Sequence, residues 1–317
     1  MKKISRRKFL VDVGIGAGAA AAASLLPIGH TSAAPISTTN SLPDSGGFIR
    51  PYDWSVCLPP QEWATHGDWV MRRTLELLQP DHWHSWGTWL DSDVPGRIPM
   101  IYSAQHFDQA GVLRRMRERN GEVWMGPGEP EVPEQADDTP ESVADLTCTL
   151  IDIGQSAGSD WQWGSPAVTL NTRYHGLEWL TEWVKIMRRK RGIAFPFTWF
   201  IHPYPSNSVR ALHDSMDAWW DWHAKWGGKT ETIISEVCAE GSPIDVQKDV
   251  MSECHKMWKD GDVKGVFWFA AYRSIHNEEK RFRQDRVPWL NYWLTTLNYE
   301  AQTVTLTELG QHWKTLQ

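Results

Sequence analysis

Short apolar runs alternate with longer amphipathic segments along the chain from residue 47 onward. The short runs have the length and composition of buried strands, whereas the longer segments repeat apolar residues at the three- and four-residue spacing of helices. We predict eight strands, near 48–56, 82–86, 98–103, 123–126, 162–168, 198–201, 232–236 and 263–269. Six helices are predicted between them, over 60–78, 107–119, 139–155, 175–191, 206–226 and 243–260.

Two of the predicted helices have strong end signals. Thr139 precedes Pro140 and Glu141, which is the order of a capping hydroxyl, a first-turn proline and an acid near the positive end of the helix dipole. The basic run RRKRG, residues 188–192, places cations in a last turn and a glycine after it, so it indicates a helix end. Beyond the eighth strand, 287–297 is predicted to form a last helix, and 302–316 an extended piece followed by a helix.

Strands that alternate with helices pair in parallel through right-handed crossovers. Eight such units predict an α/β domain with the (β/α)8 TIM barrel fold, which typically takes about 250 residues. The main competitor is an open, doubly wound sheet, but the glycine-rich phosphate motifs that such sheets often contain do not follow the first predicted strand. The barrel is therefore the preferred architecture for residues 47–317.

The first 46 residues lack this alternation and are predicted to lie outside the fold. Residues 1–34 contain SRRKFL, an Ala/Gly-rich apolar stretch and a small-residue end, which is the pattern of a twin-arginine signal peptide. The apolar stretch contains Asp12 and several glycines, so it makes a poor permanent membrane span. Residues 35–46 form a polar linker. We expect export by the twin-arginine route to the periplasm or the cell exterior, with no stable membrane insertion after cleavage.

Charge and cysteine content exclude several classes of partner. Removal of residues 1–34 takes away five cations and one carboxylate, which changes the net charge from −7 to −11. Such a surface repels nucleic acid and anionic lipid. Four scattered cysteines do not form a zinc motif, and their disulfide state stays open, with free buried thiols as the default: Cys57, Cys148, Cys238 and Cys254. The 21 tryptophans indicate either a tryptophan-rich core or, for those beyond the needs of a core, a site that stacks against sugar rings.

Two glutamates fall at the carboxyl ends of predicted strands, where a parallel barrel has its active site. Glu129 lies in GPGEPEVP just after the fourth strand, and Glu236 ends the seventh. The glycines and prolines around Glu129 offer no charge partner, so we expect its carboxyl to stay protonated at working pH. Glycoside hydrolysis requires two carboxyl groups, one as acid and one as nucleophile. Glu131 and Glu134 are interpreted as loop carboxylates without a catalytic role.

The motifs around these glutamates resemble those of a large clan of (β/α)8 retaining glycosidases. In that clan the acid/base follows strand four in an Asn-Glu-Pro motif, and the nucleophile ends strand seven after Thr or Ser. The chain is most similar to the alkali-sensitive linkage protein-like glycosyl hydrolases, which are related to endo-β-1,3-glucanases. The matching segments, over roughly residues 80–275, are RIPMIY, GPGEPEVPEQADDTPESVADL, WGSPAVTLNTRYHGLEWLTEWV, FIHPYP, TIISEVCAE and VKGVFWFAAY.

The resemblance implies a role for several residues of this chain. Glu129 corresponds to the acid/base and Glu236 to the nucleophile. His202 and Tyr204 correspond to the family's His-x-Tyr after strand six, which helps to hold the nucleophile and the sugar. Trp268 corresponds to the aromatic platform of strand eight under the reacting sugar ring.

One departure from the family pattern concerns the residue before the acid/base. Gly128 stands where the family has an asparagine that hydrogen-bonds the sugar 2-hydroxyl. Loss of such a donor would slow the reaction by on the order of 10²–10³-fold unless another donor, such as Asn171, replaces it. An alternative hypothesis follows, in which the protein is a non-catalytic carbohydrate-binding descendant on the same barrel.

Other candidate residues support weaker hypotheses. His82, His84 and a neighbouring His106 suggest a metal-dependent hydrolase, but a hydrogen-bonding role in the barrel lining is preferred because no ligand set accompanies them. Serines at predicted strand ends stand in no GxSxG elbow, which disfavours a serine hydrolase. Trp86 is a candidate sugar platform, with loop packing as the equal alternative.

The combined expectation is an exported retaining glycoside hydrolase with no cofactor and no metal. We expect it to act as a monomer on a β-glucan, most naturally a β-1,3-linked one, or on a related cell-wall polysaccharide or oligosaccharide.

Overall fold

The computed structural model describes residues 54–59, 64–86, 94–118, 123–158, 162–192, 198–205, 207–239, 241–272 and 292–317. The predicted signal peptide at 1–34, the predicted linker at 35–46 and the start of the first predicted strand lie outside these residues.

Parallel strands dominate the described part of the chain. They are β1 (Trp54–Cys57), β2 (Trp83–His84), β3 (Val123–Trp124), β4 (Gln162–Trp163), β5 (Val168–Thr169), β6 (Thr198–His202), β7 (Glu231–Val237) and β8 (Gly265–Trp268). Six of them form one sheet in the order β2-β1-β8-β7-β6-β5, in which every neighbouring pair is parallel. β3 and β4 form a separate parallel pair. The prediction of parallel pairing is therefore confirmed for these strands.

Single backbone bridges connect the β3–β4 pair to the larger sheet. Arg97 pairs with Trp83 in β2, and Met100 pairs with Met125 just after β3. On the other side, Gly164 after β4 pairs with Thr198 in β6. The predicted strand at 98–103 forms bridges instead of a continuous ladder, and the proline in RIPMIY, which has no N–H to donate, gives the physical reason. The chain has a mixed α/β fold with a parallel central sheet.

Helices separate most of the strands. They are α1 (Trp69–Leu78), α2 (Gln109–Glu118), α3 (Pro140–Ala157), α4 (Gly176–Arg191), α5 (Val209–Trp226), α6 (Ile244–Asp260) and α7 (Glu308–Leu316). Both predicted end signals are confirmed, because the Thr139 hydroxyl accepts the Ser142 N–H at 3.1 Å and Gly192 ends α4 with φ +64°. α1 begins later than predicted, and Gly67 with φ +94° interrupts the chain just before it.

Alternate residues of β6 pack into two different cores. The main core lies between the sheet and the helices and includes Trp199 and Ile201 of β6. Phe200, between them in sequence, faces the opposite side of the sheet. There it joins a smaller core, defined here by Cys57, Ile98, Met100, Met125, Ala167, Phe200, Ile233 and Phe267. Every one of these eight residues lies on or beside a predicted strand.

The carboxyl-terminal segment differs from its prediction. The described part of the predicted last helix ends in β9 (Thr295–Asn298), which pairs antiparallel with β10 (Thr303–Leu306). Two β-branched threonines begin β9, and both the N–H and the hydroxyl of Thr295 donate to the Ala271 carbonyl, so tertiary contacts favour a strand. The extended piece and helix predicted at 302–316 are confirmed by β10 and α7.

Neither a long apolar helix nor a disulfide occurs in the part of the chain that the structure describes. No described helix is long and apolar enough to cross a membrane. All four cysteines are free thiols, and three of them are buried: Cys57, Cys238 and Cys254.

Candidate active site

Glu129 lies on a tight turn that follows β3. Its φ of +47° is a left-handed conformation that is uncommon for a residue other than glycine. The Glu129 N–H donates to the Ala167 carbonyl at 2.7 Å, and the Glu129 carbonyl accepts the Val132 N–H at 3.1 Å. Backbone conformations of this kind cost of order 1–3 kcal/mol and persist where surrounding contacts enforce them. The two hydrogen bonds therefore fix the direction of a side chain that is only 5% exposed.

Glu236 reaches the same region through an irregularity in β7. Ile234 and Val237 both belong to the main core, and the register with β8 shifts between them. Ser235 and Glu236 therefore lie opposite a single β8 residue, which is a β-bulge. Strict alternation from Ile234 would turn Glu236 toward the helices. The bulge instead places it beside Trp86, which packs against the smaller core.

The two carboxyl groups meet around one histidine. A carboxylate oxygen of Glu129 and one of Glu236 lie within 4.8 Å of each other, and a ring nitrogen of His202 lies within the same distance of both. His202 ends β6, and its Nδ1 is 3.1 Å from Glu129 Oε1 and 3.9 Å from Glu236 Oε2. All three residues are buried. The structure thus joins the two glutamates that the sequence analysis took from distant parts of the chain.

Two aromatic side chains hold the Glu236 carboxylate. The Trp86 indole N–H donates to Oε1, and the Tyr204 hydroxyl donates to Oε2. Burial raises the pKa of Glu236, and the negative charge of Glu129 adds to the rise, whereas His202 and the two hydrogen bonds oppose it. Tyr204 therefore holds the predicted nucleophile, as the resemblance implies. Trp86 contacts the carboxylate through its nitrogen, a role that was not predicted.

Beneath Glu236, a thiol and an imidazole fix the neighbouring backbone. His84 Nε2 lies 2.7 Å from the Ser235 carbonyl oxygen and 3.0 Å from Cys57 Sγ. Burial lowers the pKa of His84 to about 3, so the ring is neutral and donates its Nε2 proton to that carbonyl. Burial also raises the pKa of the Cys57 thiol, and Glu236 adds to this effect. The structure gives His84 the hydrogen-bonding role that the sequence analysis preferred.

Gln135 contacts the other glutamate and was not identified from the sequence. Its side-chain amide donates to Glu129 Oε2, while His202 contacts Oε1 of the same carboxyl. Gln135 lies six residues after Glu129 on the loop that leads to α3. A glutamine in a polar loop has no motif or periodicity of its own, so only the folded loop reveals its position.

Glu131 points away from the site but lies close to it. Its Oε1 accepts the Thr169 N–H at 2.5 Å, and its Oε2 is buried without a hydrogen-bond partner in the described structure. Burial raises the pKa of Glu131 well above its ordinary value, and the charge of Glu129 adds to the rise. This arrangement agrees with the interpretation of Glu131 as a loop carboxylate.

The prediction for Trp268 is wrong. Trp268 is fully buried in the main core, and its indole N–H donates to the Tyr292 carbonyl at 2.9 Å. The strand-eight alternation places Phe267 and not Trp268 on the face of the smaller core. The aromatic residue that follows it, Phe269, packs against the two rings that hold Glu236, with its centroid 5.2 Å from Trp86 and 5.8 Å from Tyr204. The prediction selected the correct strand but the wrong residue.

Gly128 and Asn171 lie in different surroundings. A Cβ added to Gly128 would come within 2.4 Å of the Met100 methyl group, so the Met100 side chain would have to move to admit an asparagine. Asn171 is exposed after β5, and its side-chain oxygen accepts the Arg173 N–H at 3.0 Å. The described contacts of Asn171 do not bring it to the two glutamates.

Two groups of ligand-type side chains are close enough to hold a metal ion in the described part of the chain. One consists of Cys57, His84 and Glu236, and the other of Glu129, His202 and Glu236. Neither contains His82, and the His106 side chain lies outside the described residues. The His82–His84 pair therefore receives no support as a metal site from the residues described.

A buried carboxyl pair at the ends of parallel strands is the arrangement of a glycoside hydrolase. The chain belongs to the glycosyl hydrolase catalytic core family, whose family model matches residues 78–293. That span contains Glu129, His202 and Glu236. No curated protein sequence matches the chain.

Solved β-1,3-glucanases of glycoside hydrolase family 128 share the fold. The subgroup I endo-β-1,3-glucanase from Amycolatopsis mediterranei, in complex with laminaritriose, has 16% identity and a TM-score of 0.58, covering 84% of this chain and 99% of its own. The subgroup II endo-β-1,3-glucanase from Sorangium cellulosum has 16% identity and a TM-score of 0.56, covering 78% and 94%. The subgroup VI exo-β-1,3-glucanase from Aureobasidium namibiae has 14% identity and a TM-score of 0.58, covering 83% and 96%. The predicted relation to this group of glycosyl hydrolases is confirmed.

Proposed function

We propose that the protein is a retaining glycoside hydrolase that cleaves β-1,3-linked glucan, with Glu129 as acid/base and Glu236 as nucleophile. The observation that supports this mechanism is the distance of at most 4.8 Å between carboxylate oxygens of the two glutamates. Retaining enzymes place their carboxyl groups about 5–5.5 Å apart, whereas inverting enzymes need about 6.5–9.5 Å to admit a water molecule.

The proposed reaction has two steps. In the first, Glu236 attacks the anomeric carbon, the glycosidic bond breaks, and the proton of Glu129 moves to the leaving oxygen. In the second, Glu129 removes a proton from water, which attacks the same carbon and releases Glu236 as a carboxylate. Tyr204 and Trp86 orient the nucleophile by donating to its two oxygens.

The electrostatics of the pair suit these roles. Two buried carboxyl groups at this distance share one proton more readily than they hold two negative charges. The Trp86 and Tyr204 donors stabilise the ionised form of Glu236, which suits the role of nucleophile. His202 lies between the two and contacts both carboxylates.

The substrate class is proposed from the named activities of the structural neighbours. The three structural neighbours described above are β-1,3-glucanases, and one of them is solved with laminaritriose. Phe269, Trp86 and Tyr204 form an aromatic group beside the carboxylates, which fits the flat apolar faces of glucose rings.

The remaining features of the proposal concern the whole chain. We propose a closed (β/α)8 barrel over residues 47–317. It is supported by the bridges that link β2, through residues 97–100, to the residue after β3, and by the bridge from the residue after β4 to β6. We also propose export by the twin-arginine route, supported by SRRKFL and the small-residue end of residues 1–34. A monomer without cofactor or metal is the proposed working form.

The test is the release of reducing sugar from laminarin by wild type, Glu236→Gln and Glu129→Ala. We expect activity in wild type and a loss of at least about 10³-fold in Glu236→Gln. Retention at the anomeric carbon, followed by NMR of the first product, tests the mechanism separately. Inverted product, or equal activity in wild type and Glu236→Gln, would overturn the assignment.

One observation favours a second candidate, a carbohydrate-binding protein without activity. Gly128 lacks the side chain that the resemblance assigns to the sugar 2-hydroxyl, and Met100 occupies the space. A protein of this kind would bind laminari-oligosaccharides in calorimetry and release no reducing sugar with either wild type or Glu236→Gln.

A further inference from the structure

The loop between Glu129 and α3 is braced by contacts from several elements. Within it, the Gln135 N–H donates to the Val132 carbonyl at 2.9 Å, and the Asp138 N–H donates to the Pro130 carbonyl at 2.8 Å. The Gln105 amide reaches the Ala136 carbonyl at 3.3 Å from outside the loop. The Gln135 side chain therefore starts from a fixed backbone.

Gln135 and His202 hold opposite oxygens of one carboxyl group. His202 contacts Oε1 of Glu129 at 3.1 Å, and the Gln135 amide donates to Oε2. With one partner on each oxygen, the carboxyl plane has a single favoured orientation. Glu236 has the same arrangement, with Trp86 and Tyr204 on its two oxygens.

The residue beside Glu129 offers no comparable contact. Gly128 has no side chain, and the Met100 methyl group fills the adjoining space. An amide that would act from position 128 is thus absent, while an amide from position 135 reaches the acid/base itself.

We propose that Gln135 is a positioning residue for the acid/base, which orients the Glu129 carboxyl and stabilises the carboxylate that forms when the proton moves to the leaving group. This inference depends on the proposed function. Hydrogen bonds to an ionised acceptor are roughly twice as strong as neutral ones, so the contact strengthens as Glu129 gives up its proton. Its effect therefore falls on steps that need proton transfer.

The experiment compares two substrates in a Gln135→Leu variant. Cleavage of laminarin releases a poor leaving group, a sugar hydroxyl, which needs protonation by Glu129. A 2,4-dinitrophenyl β-glucoside or laminaribioside instead releases dinitrophenolate, which leaves without protonation. We expect kcat/KM to fall about 10–100-fold on laminarin and less than about threefold on the dinitrophenyl substrate. Since kcat/KM reports the first step, slow release of the glycosyl-enzyme does not affect the comparison.

The pH profile provides a second readout. Glu129 is faced by His202 from β6, Glu236 from β7, and Glu131 and Gln135 from its own loop. Removal of the Gln135 donor disfavours the ionised acid/base, so the basic limb of kcat/KM moves up by as much as about one pH unit. The acid limb, which reports the nucleophile, stays in place.

Gln105→Leu is the matched control. This glutamine supports the same loop but makes no described contact with Glu129. Its loss is therefore expected to lower kcat/KM by the same factor on both substrates, which is the result of lost loop support alone. Gln135→Asn keeps the amide on a shorter stem and is expected to recover part of the laminarin activity. If Gln135→Leu fails to fold, Gln135→Asn is the variant in which the two substrates are compared.

The outcomes separate the inference from the proposed function. Equal losses on the two substrates with an unmoved basic limb would show that Gln135 only supports the loop. If wild type cleaves neither substrate, or Glu236→Gln cleaves both as fast as wild type, the proposed function fails first. A selective loss on laminarin with a shifted basic limb supports the inference.

Discussion

At the scale of single residues, two carboxyl groups that are close in sequence have different environments. Glu129 and Glu131 are two residues apart, yet one reaches the cleft and the other turns to the Thr169 N–H. The left-handed backbone conformation of Glu129 accounts for part of this difference, because it changes the direction in which the Glu129 side chain leaves the turn.

A first prediction concerns the space beside Gly128. Gly128→Asn restores the amide that the resemblance places there, but its Cβ meets the buried Met100 methyl group at 2.4 Å. We expect only a small gain in kcat/KM on laminarin from Gly128→Asn alone, because the buried Met100 side chain must first move aside. In a Met100→Ala background, which frees the space, the same substitution is expected to raise kcat/KM by about tenfold or more.

The comparison is between Met100→Ala and the double variant, with unfolding midpoints measured for both. A failure of asparagine to raise kcat/KM in the enlarged site would show that the donor at this position has been replaced from elsewhere.

A second prediction concerns Glu131 and pH. Burial raises the pKa of Glu131 well above its ordinary value of 4.5. Between 4.5 and the raised value, the folded protein keeps a proton that the unfolded chain has lost, so this group destabilises the fold as pH rises through that window. Glu131→Gln removes the cost, and we expect it to be more stable than wild type by about 1–3 kcal/mol at pH 8.

Urea unfolding at pH 4 and pH 8 measures this effect, and the gain should shrink at the lower pH. Glu118→Gln, on an exposed position of α2, is the control and should change little at either pH. A gain of equal size at both pH values would contradict the explanation by protonation.

At the scale of secondary structure elements, pattern predicted most of the strands and helices, with 98–103 and 287–297 as the exceptions, but not how individual side chains are directed. Period and capping signals located α3 to α6 within a few residues. The β7 bulge, by contrast, depends on pairing with β8 and has no signature in the run TIISEV. Sequence analysis identified Glu236 through its motif, and the bulge explains why that residue faces the site.

In strand eight, by contrast, the sequence analysis selected the wrong residue. In GVFW every side chain is apolar, so the sequence does not indicate which alternate residues face the helices. Trp268 was selected by its match to the family's strand-eight aromatic platform, but it packs in the main core, and Phe269 lies beside the site instead. Gln135 was missed for a related reason, since a loop glutamine gains its role from contacts that only the fold creates.

At the scale of the whole molecule, the free thiols bear on the proposed twin-arginine export, a route that carries folded protein. Cys57, Cys238 and Cys254 are buried, and all four cysteines are free. Burial raises the pKa of the Cys57 thiol, and burial does the same for Cys254, so both stay protonated and unreactive. A chain that is folded before it meets an oxidising compartment keeps such thiols out of disulfide exchange.

The last prediction tests this export route with the arginine pair of SRRKFL. The pair Arg6→Lys and Arg7→Lys keeps the charge and the apolar stretch but removes the arginines that define the twin-arginine signal. We expect the variant to accumulate in the cytoplasm as folded protein, and laminarin activity in separated cell fractions locates it. Lys2→Arg, which leaves the pair intact, is the control and should be exported like wild type. Because a general secretion signal needs positive charge without a strict arginine pair, unchanged export of the lysine variant would point to transport of the unfolded chain.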